Sequence, residues 1–260
     1  MDIRTLFQAH TMPANALPVR CHVIEGDKAK LLEEYMVQRL PDCYISLDHL
    51  KERVIKTGMS ASEILATKLP DPGCVMSGDF GELVTLYFLS AQCAEKTIPI
   101  KKWRYKQDRL KATPHSDVIM LYCSSPGKPS PQDYVICAET KQRATTSDSK
   151  PIQKAIEGYE KDKVGRLART LTWLREKAIA QEKVGDIELV NRFTIDVSVD
   201  YLKYFKAVAI VDRTLLDEEI TQKIELPQQN ASLEIIVLGI EGLKNLYEAV
   251  FRRALKEVAI

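Results

Sequence analysis

The chain has 260 residues, 45% hydrophobic and 28% charged, the composition of a globular protein with room for one large core or two modest ones. Its 37 Lys and Arg against 36 Asp and Glu leave a net charge of +1, so any nucleic-acid binding must come from local patches rather than a global field. No apolar run approaches the roughly 20 residues that cross a bilayer, and MDIRTLFQAHTMP lacks the apolar stretch of a signal peptide, which predicts a cytoplasmic protein without a membrane partner.

Residues 17 to 25, LPVRCHVIE, alternate as a strand does, and DKAKLLEEYMVQRL carries Leu31, Leu32, Tyr35, Met36 and Leu40 at helical spacing. SLDHLKERVIK and SASEILATKL predict two further short helices. Pro70, Asp71, Pro72 and Gly73 then break the pattern, which predicts a small N-terminal α+β region over 1–70 and a main domain over 71–260. In SGDFGELVTLYFLSAQC, Leu83, Leu86, Tyr87, Leu89 and Ser90 fit a helix packed on a sheet, and TIPIKKWRYK predicts a strand with a basic exposed side. HSDVIMLYC and DYVICAETK predict two more strands, separated by the turn-rich SSPGKPSPQ. A long helical region from Pro151 to Gln181 follows, with Val164, Leu167, Leu171 and Leu174 on one stripe. KAVAIVD and SLEIIVLGI are late strands, and EGLKNLYEAVFRRALKEV is an amphipathic helix after them. The fold class is α/β, a mixed central sheet flanked by helices.

Several chemistries lose their usual signatures. The six cysteines are scattered without a C-x-x-C, and Cys123 and Cys137 lie inside apolar strand patterns, so buried reduced thiols are the simplest reading. The four histidines form no metal-spaced cluster, and neither a phosphate-binding G-x-x-x-x-G-K-[ST] nor a nucleophile G-x-S-x-G occurs.

The strand YVICAETKQR holds the chemistry. Both of its faces are apolar up to Ala138, after which Glu139 and Lys141 emerge on one face. An exposed ion pair at a strand end is the bland explanation. If the preceding strand pairs antiparallel with Tyr122 opposite Tyr134, Asp117 falls opposite Glu139 on the same face. Two opposed carboxylates are costly unless a cation lies between them, and oxygen-only ligation is what Mg²⁺ or Mn²⁺ prefers. Asp117, Glu139 and the Thr140 carbonyl are then candidate metal ligands, while Lys141 orients and activates an attacking water and offsets phosphate charge. That is equipment for phosphodiester hydrolysis.

Helix, strand, strand with Asp in SDVIMLYC, strand with Glu-x-Lys in AETK, then helix resembles the PD-(D/E)XK nuclease core, a restriction-endonuclease-like fold, with Glu82 on the helix GDFGELVTLYFL. More narrowly, GELVTLYFL followed by a basic strand, by HSDV and by AETK is similar to the nuclease subunit of the Hachiman anti-phage defence system (HamA-like). Ser116 stands before Asp117 where the superfamily's name has proline, and Asp148-x-Lys150 is a second match in a polar loop without a strand. The resemblance implies a magnesium-dependent deoxyribonuclease, a defence role, DNA as substrate and a helicase partner (HamB-like) that controls it.

Glu82 has two readings. If Asp79 caps its helix, Glu82 at the third position completes a capping box; the resemblance instead makes it a third metal-binding or water-positioning carboxylate, catalytic with Asp117, Glu139 and Lys141. Two basic stretches are candidate DNA contacts, one with Lys101, Lys102, Arg104 and Lys106 around Trp103, the other with Arg166 and Arg169 on the long helix. Each is otherwise a solvated face. A stand-alone repair or restriction nuclease of the same superfamily, and a non-catalytic binding module that keeps the fold, are the alternatives.

Overall fold

The computed structural model describes residues 2–125, 127–194, 199–227 and 232–259. Strands β1 (Gln8–Ala9) and β2 (Arg20–Ile24) precede helices α1 (Asp27–Tyr44), α2 (Leu47–Thr57), α3 (Ala61–Ala66) and α4 (Cys74–Ser90). Strands β3 (Ile98–Pro99), β4 (Val118–Tyr122) and β5 (Tyr134–Arg143) follow, then α5 (Pro151–Lys161), a π-helical turn (Asp162–Arg166), α6 (Leu167–Ala180) and α7 (Val184–Asn191). Strand β6 (Leu202–Asp212), α8 (Leu216–Ile220), β7 (Leu233–Ile240) and α9 (Leu243–Glu257) complete the order.

Among the described residues the strands form one mixed sheet in the order β1-β2-β7-β6-β5-β4-β3. The central strands β2, β7, β6 and β5 are parallel, and β1, β4 and β3 add antiparallel edges. Parallel neighbours need crossovers, and the helices that supply them cover both faces. Alternation sorts the strand residues accordingly. Met120, Ile136, Ala138, Val208 and Leu238 pack with α1, α4 and α9, whereas Leu121, Val135, Cys137, Ala207 and Val237 pack with α5 and α6. Helix α4 is buried almost all round, as a helix apolar on every side must be, and it carries Asp79 and Glu82 into the interior with it.

The α/β expectation holds, and the register Tyr122 opposite Tyr134 is the one observed. The break at Pro70–Gly73 is a loop within a common core: β2 pairs with β7, and Ile24, Leu32 and Met36 share one apolar cluster with Leu238 and Phe251.

Three local expectations need correction. Only Ile98 and Pro99 of TIPIKKWRYK pair in the sheet, and Lys102–Tyr105 is a 3₁₀ turn instead of a strand. Lys102 and Trp103, consecutive in that turn, are both buried. The long helix is divided by the π turn, where Gly165 has φ 149°, and the change of phase leaves Val164 85% exposed while Leu167, Leu171 and Leu174 stay buried. Helix α4 starts nearly two turns earlier than a cap at Asp79 would place it, with Gly73 at its N-cap, so Asp79 caps nothing and Glu82 lies mid-helix. The capping-box reading of Glu82 falls with it.

Candidate active site at the free edge of β5

Strand β5 pairs with β6 along its whole length, from Tyr134 to Arg143, but with β4 only from Tyr134 to Ala138. Past Ala138 one edge of β5 has no strand beside it, and its backbone groups need other partners. Asp117, the residue before β4, supplies one: its Oδ2 accepts the Thr140 N–H at 2.9 Å. The register therefore brings Asp117 beside Glu139 and Lys141.

Lys141 Nζ closes the group. It contacts Glu139 Oε1, lies 3.4 Å from Asp117 Oδ2 and donates to the Thr140 carbonyl at 3.1 Å. The second Glu139 oxygen accepts from Arg166, whose same nitrogen also donates to the Gly158 carbonyl at 2.7 Å. Burial, then the adjacent Asp117 charge, push the Glu139 carboxyl up to about 7, against the pull of Lys141 and Arg166. Burial pulls the Lys141 ammonium down, but Asp117 and Glu139 outweigh it and leave it raised.

Arg166 is itself held. Its Nε donates to Asp162 Oδ1 at 2.7 Å, and the same oxygen accepts the Ser116 hydroxyl at 2.6 Å. Ser116, fully buried, exchanges a further bond with Thr170 Oγ1 at 2.8 Å. The position where the superfamily's name has proline is thus a polar clasp between the start of β4 and the π turn. Gly158 completes the site by absence of a side chain, because a Cβ there would overlap the Glu139 carboxyl group.

Glu82 approaches from α4, on the other face of the sheet. It is 7% exposed, and Lys102 Nζ lies 3.2 Å from its Oε2. That contact lacks hydrogen-bond alignment, and Lys102 donates instead to the Ser116 carbonyl at 2.8 Å. Burial pushes Glu82 up to about 8, with Asp117 and Asp79 adding to the shift and Lys102 opposing it. Among the described residues, no three His, Cys, Asp or Glu side chains gather closely enough to hold a metal.

The basic residues expected at DNA are placed differently from a solvated stripe. Lys101 and Arg104 both pair with Asp42, Lys102 is buried, and Lys106, its side chain 4% exposed, pairs with Asp79 at 2.5 Å. Asp79 also accepts from Tyr44, so this turn is pinned to α1 and α4. Arg166 faces Glu139, while Arg169 is exposed. Sequence reading missed Asp162, Thr170 and Gly158. The Asp162-x-x-x-Arg166 spacing, one helical turn, was the available signal for the first.

No described helix is long and apolar enough to cross a membrane. No curated protein matches the chain. The HamA family model matches residues 5–254, which takes in the N-terminal region and every residue of the cluster on β5. The chain belongs to the HamA family and is a component of the Hachiman defence system.

Proposed function

We propose that the protein is the nuclease of that system, a metal-dependent enzyme that hydrolyses DNA phosphodiesters under the control of a helicase partner. One observation carries the reading: Asp117 and Glu139 stand side by side at an open sheet edge with the Lys141 ammonium between them. Structural ion pairs rarely need two adjacent carboxylates, one buried and one partly buried, whose repulsion a second cation, Arg166, must offset.

The donor set suits a hard divalent cation. Asp117 Oδ1 has no hydrogen-bond partner among the described residues, and Glu139 and the Thr140 carbonyl add oxygens on the same edge. Bound there, Mg²⁺ or Mn²⁺ would polarise the phosphate and lower the pKa of a coordinated water. The chain's own groups do the rest. Lys141, released from Glu139, holds a phosphate oxygen or the attacking water, and Arg166 keeps the Glu139 carboxylate ionised and aimed. Asp162 and Ser116 fix Arg166 in turn.

The test is cleavage of plasmid and linear DNA by the full chain with Mg²⁺ or Mn²⁺, alone and with the neighbouring helicase, beside Glu139→Ala and with EDTA. Loss in both controls is expected. Wild-type cleavage that survives in Glu139→Ala would overturn the assignment.

A second reading rests on the cations already seated on Glu139. Lys141 and Arg166 occupy both of its oxygens, as they would in a module that binds nucleic acid or a partner without cleaving. It predicts that Mg²⁺ neither binds nor stabilises the protein.

A further inference from the structure

A hollow of about 260 Å³ lies between α1, α2 and the end of α6, lined by Tyr44, Arg53, Lys68, Arg104 and Lys183 among others. Arg104 is committed to Asp42. Arg53, Lys68 and Lys183 have no carboxylate partner among the described residues, and only Glu52, already paired with Lys56, brings a negative charge to the lining. Half-buried Lys68 is held below the usual lysine range, first by burial and then by Arg53. Uncompensated cations in a concave site create demand for an anion.

A second hollow, about 320 Å³, adjoins the first through Arg104 and Lys183. Its lining is different: Tyr105, Leu174, Ala178 and Val190 make an apolar floor. Half-buried aromatic rings lead from there to the candidate active site. Lys183 Nζ sits 5.7 Å from the Tyr105 ring centre, Tyr105 packs on Trp173 at 5.9 Å, and Trp173 packs on His115 at 6.1 Å. His115 is two residues before Asp117, and the exposed Arg169 acts electrostatically on it.

We propose that these features form one track for a single-stranded nucleic acid, running from Asp117 past His115, Trp173 and Tyr105, with a base in the apolar hollow and a phosphate in the basic one. Alternating aromatic rings and cations suit a strand whose bases are free to stack, whereas a duplex hides its base faces. An acidic protein segment would satisfy Arg53, Lys68 and Lys183 but leaves the apolar hollow and the aromatic line without a role. The track rests on the nuclease reading and names the substrate form that the site takes.

The experiment measures anisotropy of a labelled mixed-sequence single-stranded oligonucleotide and of its duplex, with the full chain in EDTA over a salt series. The expected result is single strand bound tighter than duplex. The triple variant Arg53→Gln, Lys68→Gln, Lys183→Gln should weaken single-strand binding at least about ten-fold and flatten the log Kd against log salt slope by about 0.7, the one phosphate the three cations hold. Trp173→Ala should weaken the single strand by about ten-fold and the duplex little, with Trp173→Phe recovering most of the loss. An unchanged affinity and slope in the triple variant, or duplex bound as tightly as single strand, would overturn the track. So would binding of polyglutamate, lost in the triple variant, with no oligonucleotide binding; that result assigns the hollow to an acidic protein partner. Because binding is read without catalysis, tight oligonucleotide binding with no cleavage under any metal condition, alone or with the neighbouring helicase, would sink the nuclease reading while the track stands, and cleavage with an unaltered triple variant would do the reverse.

Discussion

The Arg166 guanidinium spans the gap between Glu139 on β5 and the Gly158 carbonyl on α5, so one side chain ties the Glu139 carboxylate to the helix. Both partners are largely buried, with side-chain exposures of 17% for Arg166 and 4% for Glu139. Removing one partner of such a pair strands the other. Arg166→Ala is expected to cost about 3 kcal/mol or more in stability, and Arg166→Met combined with Glu139→Gln far less than the sum of the single changes. Chemical denaturation of the four members of that cycle measures the coupling.

Gly158 gives a sharper test of the same packing. A methyl group there collides with the Glu139 carboxyl, so Gly158→Ala should destabilise by about 1–3 kcal/mol and cut DNA cleavage with it. Gly185 on α7 has no neighbour near its Cβ direction, and Gly185→Ala should be neutral or stabilising by about 0.5–1 kcal/mol. Equal effects at both positions would show that the proximity to Glu139 is not what matters.

Asp117 contributes a charge and a hydrogen bond, which two substitutions separate. Asp117→Asn keeps an oxygen for the Thr140 N–H and removes only the charge; Asp117→Ala removes both. Calorimetry with Mn²⁺ should show metal binding lost in each, whereas the melting temperature should drop clearly only in Asp117→Ala. Retained Mn²⁺ binding in Asp117→Ala would move the metal elsewhere.

Lys141 is the most exposed member of the cluster, with a side-chain exposure of 35%, and its loss relieves no packing. Lys141→Ala is expected to fold and to bind DNA as the wild type does while cleaving at least about 100-fold more slowly, the scale of a removed electrostatic stabiliser. Wild-type turnover in that variant would end its catalytic role.

The pH dependence of stability should carry the mark of Glu82. Its folded value, about 8, lies above the ordinary 4.5, so the folded state holds this proton more tightly than the unfolded chain does. The resulting stabilisation is complete below about 4.5 and is lost as pH rises through about 8. The melting temperature should fall by several degrees between pH 6 and 9, and Glu82→Gln should flatten that fall. An identical slope in the variant would mean that Glu82 is ionised throughout.

Periodicity and turn chemistry made the sheet legible. Consecutive apolar runs marked β4 to β7 as strands, and antiparallel pairing through SSPGKPSPQ with Tyr122 opposite Tyr134 set Asp117 against Glu139. The pairing of the basic stretch was not legible, for a physical reason. Composition shows Lys101, Lys102, Arg104 and Lys106 as a charge run, but Asp42, Asp79 and Glu82, distant in sequence, absorb it. Opposite charges far apart along the chain have no local signature.

What the sequence by itself determined is therefore what depends on near neighbours along the chain: most of the strands and helices, and that Glu139 and Lys141 share a face, because side-chain direction follows from backbone period. Tertiary structure alone decided what lies against that face. The π turn that aims Arg166, the space left by Gly158, and the choice between a buried Lys102 and a solvated one all arise where α4, α5 and α6 dock on the sheet. Packing of these helices is governed by shape and by desolvation of each buried charge, and both depend on atoms brought together only when the chain is folded.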